Sequence, residues 1–171
     1  MTKHLLTVLT TIAVLMIGGV SVFAQDGDDM NVEALTEEFW TFLQDSNYEY
    51  NWAYEPGVTQ GFYEGQEPHG LRLKSFANPI AVNAAGSGLD TFPLGSFLVK
   101  ENYTPELELA SYTIMVKMQE GYAPDSNNWF WAKYQPDGTV DASGQVSGCI
   151  GCHGQAEDND YVFNASLSSG N

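Results

Sequence analysis

The two cysteines of the chain stand three apart, in Cys149-Ile150-Gly151-Cys152-His153, and there is no third. No other run of residues constrains the molecule as much. Thiols at that spacing share one turn of a helix, so both can bond the vinyl groups of a single porphyrin. The histidine that follows can then turn its imidazole to the iron from one face. Cys-x-x-Cys-His is the attachment sequence of c-type haem, which makes Cys149 and Cys152 candidate cofactor-binding residues and His153 the candidate metal ligand. Three other readings compete. The pair can form a disulfide in an oxidising compartment. It can be a thioredoxin-type redox pair, which needs a βαβ setting that the surrounding pattern lacks. It can belong to a zinc site, which wants four protein ligands, or three and a water. Beyond residue 24 the other histidine is His69.

The N-terminus bears on the compartment. Residues 1–24 read MTKHLLTVLTTIAVLMIGGVSVFA, with Lys3 and His4 before an uncharged apolar stretch from Leu5 to Val22. Val22 and Ala24 occupy the small-residue positions ahead of a cut before Gln25. This is the pattern of a cleaved secretory signal peptide. The competing reading is an uncleaved anchor, for which the stretch is about long enough. Either way the domain folds outside the cytoplasm, and the chain is expected to be periplasmic or secreted. No second long apolar run follows.

The chain has 171 residues, which fits one domain with a core of its own. Apolar residues make up 43 % and aromatics 13 %, so disorder is a poor reading of the whole. Acids outnumber bases 22 to 6, for a formal net charge of −16. Such a surface repels phosphate and excludes a nucleic-acid partner. It also argues against docking to anionic lipid. It fits a basic redox partner protein, and equally a salt-tolerant surface.

Residues 25–31 read as an acidic leader. Apolar residues at 32, 35, 39, 42 and 43 have helical spacing, so an N-terminal helix is expected within 25–45. Residues 46–70, rich in Tyr, Gly, Pro and Trp, read as a long aromatic loop. Strands are expected at 71–76, 97–101, 112–118 and 129–134, with a short helix at 80–85 and turns at Asn78-Pro79 and Pro136-Asp137-Gly138. Strands joined by short turns, with helical pieces at both ends, point to an α+β fold: a mostly antiparallel β-sheet with flanking helices. The haem-attachment segment is C-terminal to the sheet, the domain is expected over 46–165, and residues 166–171 read as a flexible tail.

If His153 is the proximal ligand, His69, Met115 and Met118 are the candidates for the opposite side of the iron. The alternation Ile114-Met115-Val116-Lys117-Met118 favours core packing for both methionines. His69, in Pro68-His69-Gly70, is expected to make a structural hydrogen bond rather than to ligate. Lys100 extends the strand from Phe97. It is either a solvated strand end or an amine presented to the porphyrin.

The pieces Glu67-Pro68-His69-Gly70, Phe76-Ala77-Asn78, Phe92-Pro93-Leu94-Gly95-Ser96-Phe97-Leu98-Val99-Lys100-Glu101-Asn102-Tyr103, Asn128-Trp129-Phe130-Trp131-Ala132-Lys133-Tyr134, Pro136-Asp137-Gly138, the cysteine motif and Asp160-Tyr161-Val162-Phe163 follow one another in order. In order and spacing the sequence resembles the cytochrome P-460 family, which includes cytochrome c′-beta. The resemblance implies a mostly antiparallel sheet with flanking helices, often a homodimer, and one covalently attached haem c. It implies one of two activities. Cytochrome P-460 oxidises hydroxylamine and carries a lysine bonded to a haem meso carbon; Lys100 matches that lysine and is the candidate catalytic residue. The c′-beta members bind nitric oxide or carbon monoxide at an apolar distal face. The chain is therefore expected to be an exported monohaem c-type cytochrome. Its ligand is a small nitrogen compound of the hydroxylamine or nitric oxide class. The alternatives are a non-catalytic gas-binding protein and a simple electron carrier. An enzyme of this kind needs an acid near the iron. Glu101 and Glu106 are candidates by their nearness to Lys100 in sequence; Trp52, Tyr54 and Phe62 are read as core or lid residues, with an aromatic distal wall as the alternative.

Overall fold

The computed structural model describes residues 31–168, with the backbone of two short strands, β1 (Met16–Ile17) and β2 (Val20–Ser21), paired antiparallel. Apart from those four positions, the export signal read over 1–24 and the leader up to residue 30 lie outside the described residues, as do residues 169–171. Among the described residues no helix is long and apolar enough to cross a membrane.

Helix α1 (Val32–Asp45) starts where Asn31 accepts from the backbone N–H of Glu33 and Ala34, at 3.0 and 3.3 Å. Asparagine is a strong N-cap because its side chain satisfies N–H groups that have no partner in the first turn. The helix buries Thr36, Phe39 and Leu43, two of them predicted by the apolar spacing. The segment read as a loop over 46–70 is more ordered than expected. It holds helix α2 (Tyr48–Asn51) and the two-residue strands β3 (Ala53–Tyr54) and β4 (Tyr63–Glu64). Strands of that length leave no periodicity to read.

The remaining strands are β5 (Arg72–Ala77), β6 (Phe97–Tyr103), β7 (Leu109–Lys117), β8 (Trp129–Tyr134) and β9 (Val140–Gly144). They form one seven-stranded antiparallel sheet in the order β3-β5-β6-β7-β8-β9, with β4 also paired to β5. Helix α3 (Pro79–Ala84) begins at Asn78, whose side chain caps Ala81, and helix α4 (Ser147–His153) follows β9. The α+β expectation is borne out.

Both faces of the sheet are covered, and alternation along each strand sorts the side chains. Phe97 and Val99, Ile114 and Val116, and Phe130 and Ala132 face α1 and pack with Phe39 and Leu43. Leu98, Met115, Trp129 and Trp131 face the other way and pack with α3, α4 and Val162. The register continues that second face: Ser75, Lys100, Thr113, Lys133 and Ala142 stand opposite one another across five strands.

Parity corrects one expectation. Glu101 is one residue past Lys100, so it points to the α1 face. There it is 1 % exposed. It accepts a hydrogen bond from the Tyr48 hydroxyl and one from the Tyr103 hydroxyl at 2.7 Å, with the Lys74 ammonium 3.6 Å away. It is a structural anchor on the face away from Cys149 and Cys152, not an acid of the site. Replacing it should therefore cost stability and spare the site. Glu101→Ala strands two phenol hydroxyls, and a loss of about 2–3 kcal/mol is expected in urea unfolding. The absorption spectrum of the folded variant should match that of the wild type.

Candidate haem centre

Helix α4 carries Cys149 and Cys152 on one side, and both line a cavity of about 290 Å³ beneath the helix. The walls are overwhelmingly apolar: Leu98, Met115 and Trp131 from the sheet, Val146 ahead of the helix, Val162 and Phe163 behind it. The two thiols are not bonded to each other. Among the described residues no three His, Cys, Asp or Glu gather as for a metal ion. Every strand pair of the sheet is antiparallel, so there is no βαβ setting for a thioredoxin-type pair.

His153 closes α4 and is buried. Its Nδ1 lies 2.8 Å from the carbonyl oxygen of Tyr161. A carbonyl only accepts, so Nδ1 carries the proton and Nε2 keeps its lone pair, the state in which an imidazole binds a metal. Burial, and then the charge of Lys100, push the imidazole below its ordinary value, against the pull of the Tyr161 bond. Trp131 and Phe163 hold the ring edge-on and tilted, with centroids at 4.7 and 5.2 Å.

The carbonyl that aims His153 is itself held. Asp160 and Tyr161 both have left-handed backbone, φ +53° and +65°. Such conformations cost a non-glycine residue about 1–2 kcal/mol each. They persist because the Asp160 carboxylate is pinned. It takes the Lys117 ammonium at 2.7 Å on each oxygen, the Phe92 N–H at 2.6 Å and the Trp129 indole N–H at 3.2 Å. The same indole donates to the Asp160 carbonyl at 2.8 Å.

Lys100 reaches the cavity from β6 as the sequence suggested. It makes no hydrogen bond or ion pair among the described residues. Burial lowers its pKa, opposed by Glu55 and Cys152. Glu55 is the acid that sequence reading missed. It is 5 % exposed and lines the cavity from the turn after β3. Burial raises its pKa, against the opposing effects of Lys100, Asn164, Ser75 and the Ala165 backbone. Gly57, at φ +89°, lets this turn lie on the Asn164 carbonyl, which a Cβ would strike. The sequence held one weak signal: Glu55 is the single acid between Trp52 and Phe62.

His69 also lines the cavity. Its Nδ1 is 3.1 Å from the Thr113 hydroxyl, the structural hydrogen bond expected of it. Burial, then the charges of Lys100 and His153, lower its pKa to about 3, so the ring is neutral. Its centroid is 6.1 Å from that of His153, with the rings at 84°. Met115 lines the cavity, whereas Met118 packs in the core on the α1 side.

One further expectation is corrected, and the core or lid reading of Trp52, Tyr54 and Phe62 holds. Glu106 is exposed on the turn between β6 and β7 and does not line the cavity. Trp52 and Tyr54 pack on Phe97 and Phe76 on the α1 face, and Phe62 caps Tyr103. The aromatic walls of the cavity are instead Trp131 and Phe163.

A family model, Cytochrome P460, matches residues 64–164. The chain belongs to this family. No curated protein matches the chain. A cytochrome P460 implies a haem cofactor, and the cavity fits one. It offers two free thiols on one helical turn, a neutral imidazole with a fixed Nδ1 proton, and apolar walls. The Trp131 Nε1 is buried with no hydrogen-bond partner among the described residues, a donor with room for an acceptor.

Two consequences are measurable. Lys117→Met leaves the Asp160 carboxylate buried and unpaired, so unfolding stability should fall by about 3–5 kcal/mol, and adding Asp160→Asn should restore part of it. Glu55 keeps its proton in the folded state to higher pH than in the unfolded chain. The wild type therefore loses stability as pH rises above the ordinary value of 4.5. Glu55→Gln should equal the wild type below that pH and exceed it above, in denaturation curves across the range.

Proposed function

We propose that this protein is an exported monohaem c-type cytochrome that carries out redox chemistry on a small nitrogen compound of the hydroxylamine class. Cys149 and Cys152 hold the haem covalently and His153 binds its iron. The export signal read over residues 1–24 supports a periplasmic or secreted setting, where such haem is attached.

The observation that carries the reading is that Lys100 and Glu55 both line the apolar cavity faced by the two thiols. Burial pushes the amine toward its neutral form and the carboxyl toward its protonated form. An ionisable carboxyl and an ionisable amine thus face one small space, groups that can exchange protons with a nitrogen compound as it is oxidised. When bound, the haem supplies a site for the nitrogen atom and a route for electrons out of it. In its carboxylate form Glu55 accepts the proton that the substrate loses. Lys100, the match to the family's cross-linked lysine, presents its amine to the ring. Val162, Phe163 and Trp131 exclude water. The acidic surface suits a basic partner that takes the electrons away.

A test begins with the matured protein. One haem per chain should survive denaturation and be lost in Cys149→Ser/Cys152→Ser. Hydroxylamine should reduce an artificial acceptor in the presence of the wild type. Glu55→Gln and Lys100→Ala should each slow that turnover by about 10²–10⁴-fold. Equal turnover in all three, or none in the wild type, would sink the enzyme reading and leave the alternatives. One of these, electron transfer alone, is favoured by the placement of His69.

A further inference from the structure

We infer that His69 is a second axial ligand, so that the resting iron is held between two histidines and a small molecule reaches it only by displacing His69. The inference rests on the reading above that His153 binds the iron of a haem. It goes beyond it in assigning the opposite side.

The argument is geometric. Two imidazoles that share one metal need ring centres roughly 6 Å apart, from two metal–nitrogen bonds of about 2 Å and the ring atoms behind them. The His69 and His153 centroids are 6.1 Å apart. Direct hydrogen bonding between the rings would need nitrogens about 3 Å apart, and no such bond is present among the described residues. Each ring spends Nδ1 on the protein: His153 on the Tyr161 carbonyl and His69 on the Thr113 hydroxyl. The His153 Nε2 is left without a partner among the described residues, while the His69 ring also shares a side-chain hydrogen bond with Asn102. A histidine tied at Nδ1 and free at Nε2 is one oriented for a metal. His69 lines the same cavity as His153, brought there by the hairpin between β4 and β5.

The backbone explains why His69 stays there. Its N–H donates to the Gln66 carbonyl at 3.0 Å, and Gly65 N–H donates to Leu71 at 3.1 Å, closing the hairpin between β4 and β5. Gly70, at φ +92°, lies against the Tyr103 carbonyl, where a Cβ would sit 3.2 Å away. The turn is thereby held to the end of β6. Thr113, which fixes the ring, stands beside Lys100 in the cross-strand register. Met115 and Lys100 are the competing donors in the cavity. Neither is tied by a hydrogen bond that aims it at the space facing His153. Lys100 faces Glu55 instead.

The test uses the matured holoprotein and three variants, His69→Ala, Met115→Leu and Lys100→Ala. The wild type should be low-spin in electron paramagnetic resonance, with the near-infrared magnetic circular dichroism bands of bis-imidazole ligation. His69→Ala should become high-spin and return to low-spin on adding imidazole. Its ferrous form should bind carbon monoxide about 10–100-fold more tightly than the wild type, since an internal ligand that fills the site 90–99 % of the time masks affinity by that factor. Met115→Leu and Lys100→Ala should keep the wild-type ligation bands. A high-spin wild type overturns the inference, as do imidazole–amine or imidazole–thioether bands. The wild-type spectra decide the matter even if His69→Ala does not mature. Absence of haem after denaturation defeats the underlying cytochrome reading instead, and a denaturing gel stained for haem separates that failure from the others.

Discussion

The Asp160 carboxylate, sealed from solvent and clasped by Lys117, is the contact on which the geometry of the centre depends. It joins three pieces of chain that are far apart in sequence: the end of β7, the loop that enters β6 at Phe92, and the segment behind α4. Its pairing holds two consecutive left-handed residues in place, and the second of them, Tyr161, gives its carbonyl to His153. A buried charge pair of this kind is weak as a source of net stability but unforgiving of a missing partner. That asymmetry suits an anchor. The imidazole has one orientation because the residues behind it have no alternative arrangement.

The sheet does the rest by parity. Each central strand is apolar on both faces, so one strand supplies two cores. The face toward α1 is a closed aromatic core, finished by the Glu101–Tyr48–Tyr103 cluster. The face toward α4 is left open enough for a cavity. Lys100 and Glu101 are neighbours in sequence and lie on opposite sides of the molecule for this reason. A single residue of slip in β6 would exchange a cavity amine for a buried carboxylate.

Several elements were readable in advance. Helix α1, the central strands and the short helix after Asn78 follow from apolar spacing and from the turn at Asn78-Pro79. The Cys149–His153 run named its own helix turn. What was not readable was short, or was decided by distance. Strands β3 and β4 are two residues each and β9 is mixed in polarity, so none carries a pattern. Glu55 sits in an aromatic stretch and becomes a cavity residue only because β3 pairs with β5 beside β6. Glu101 and Glu106 were attractive because they are near Lys100 along the chain, a measure that strand alternation makes worthless. His69 looked like a turn residue, and it is one. Its place across from His153 comes from the hairpin that carries it.

By itself the sequence determined the chemistry available: two thiols and an imidazole on one helical turn, a lysine on a strand and an acidic surface. These are local, because covalent spacing and short-range periodicity fix them. Only the tertiary structure decided which groups share the cavity. That choice is made by strand order and register, which bring Glu55, His69, Lys100 and His153 to one face from four separate elements. The energy that sets the register is the burial of apolar side chains on both sides of the sheet, a sum over the whole domain that no single stretch of sequence displays.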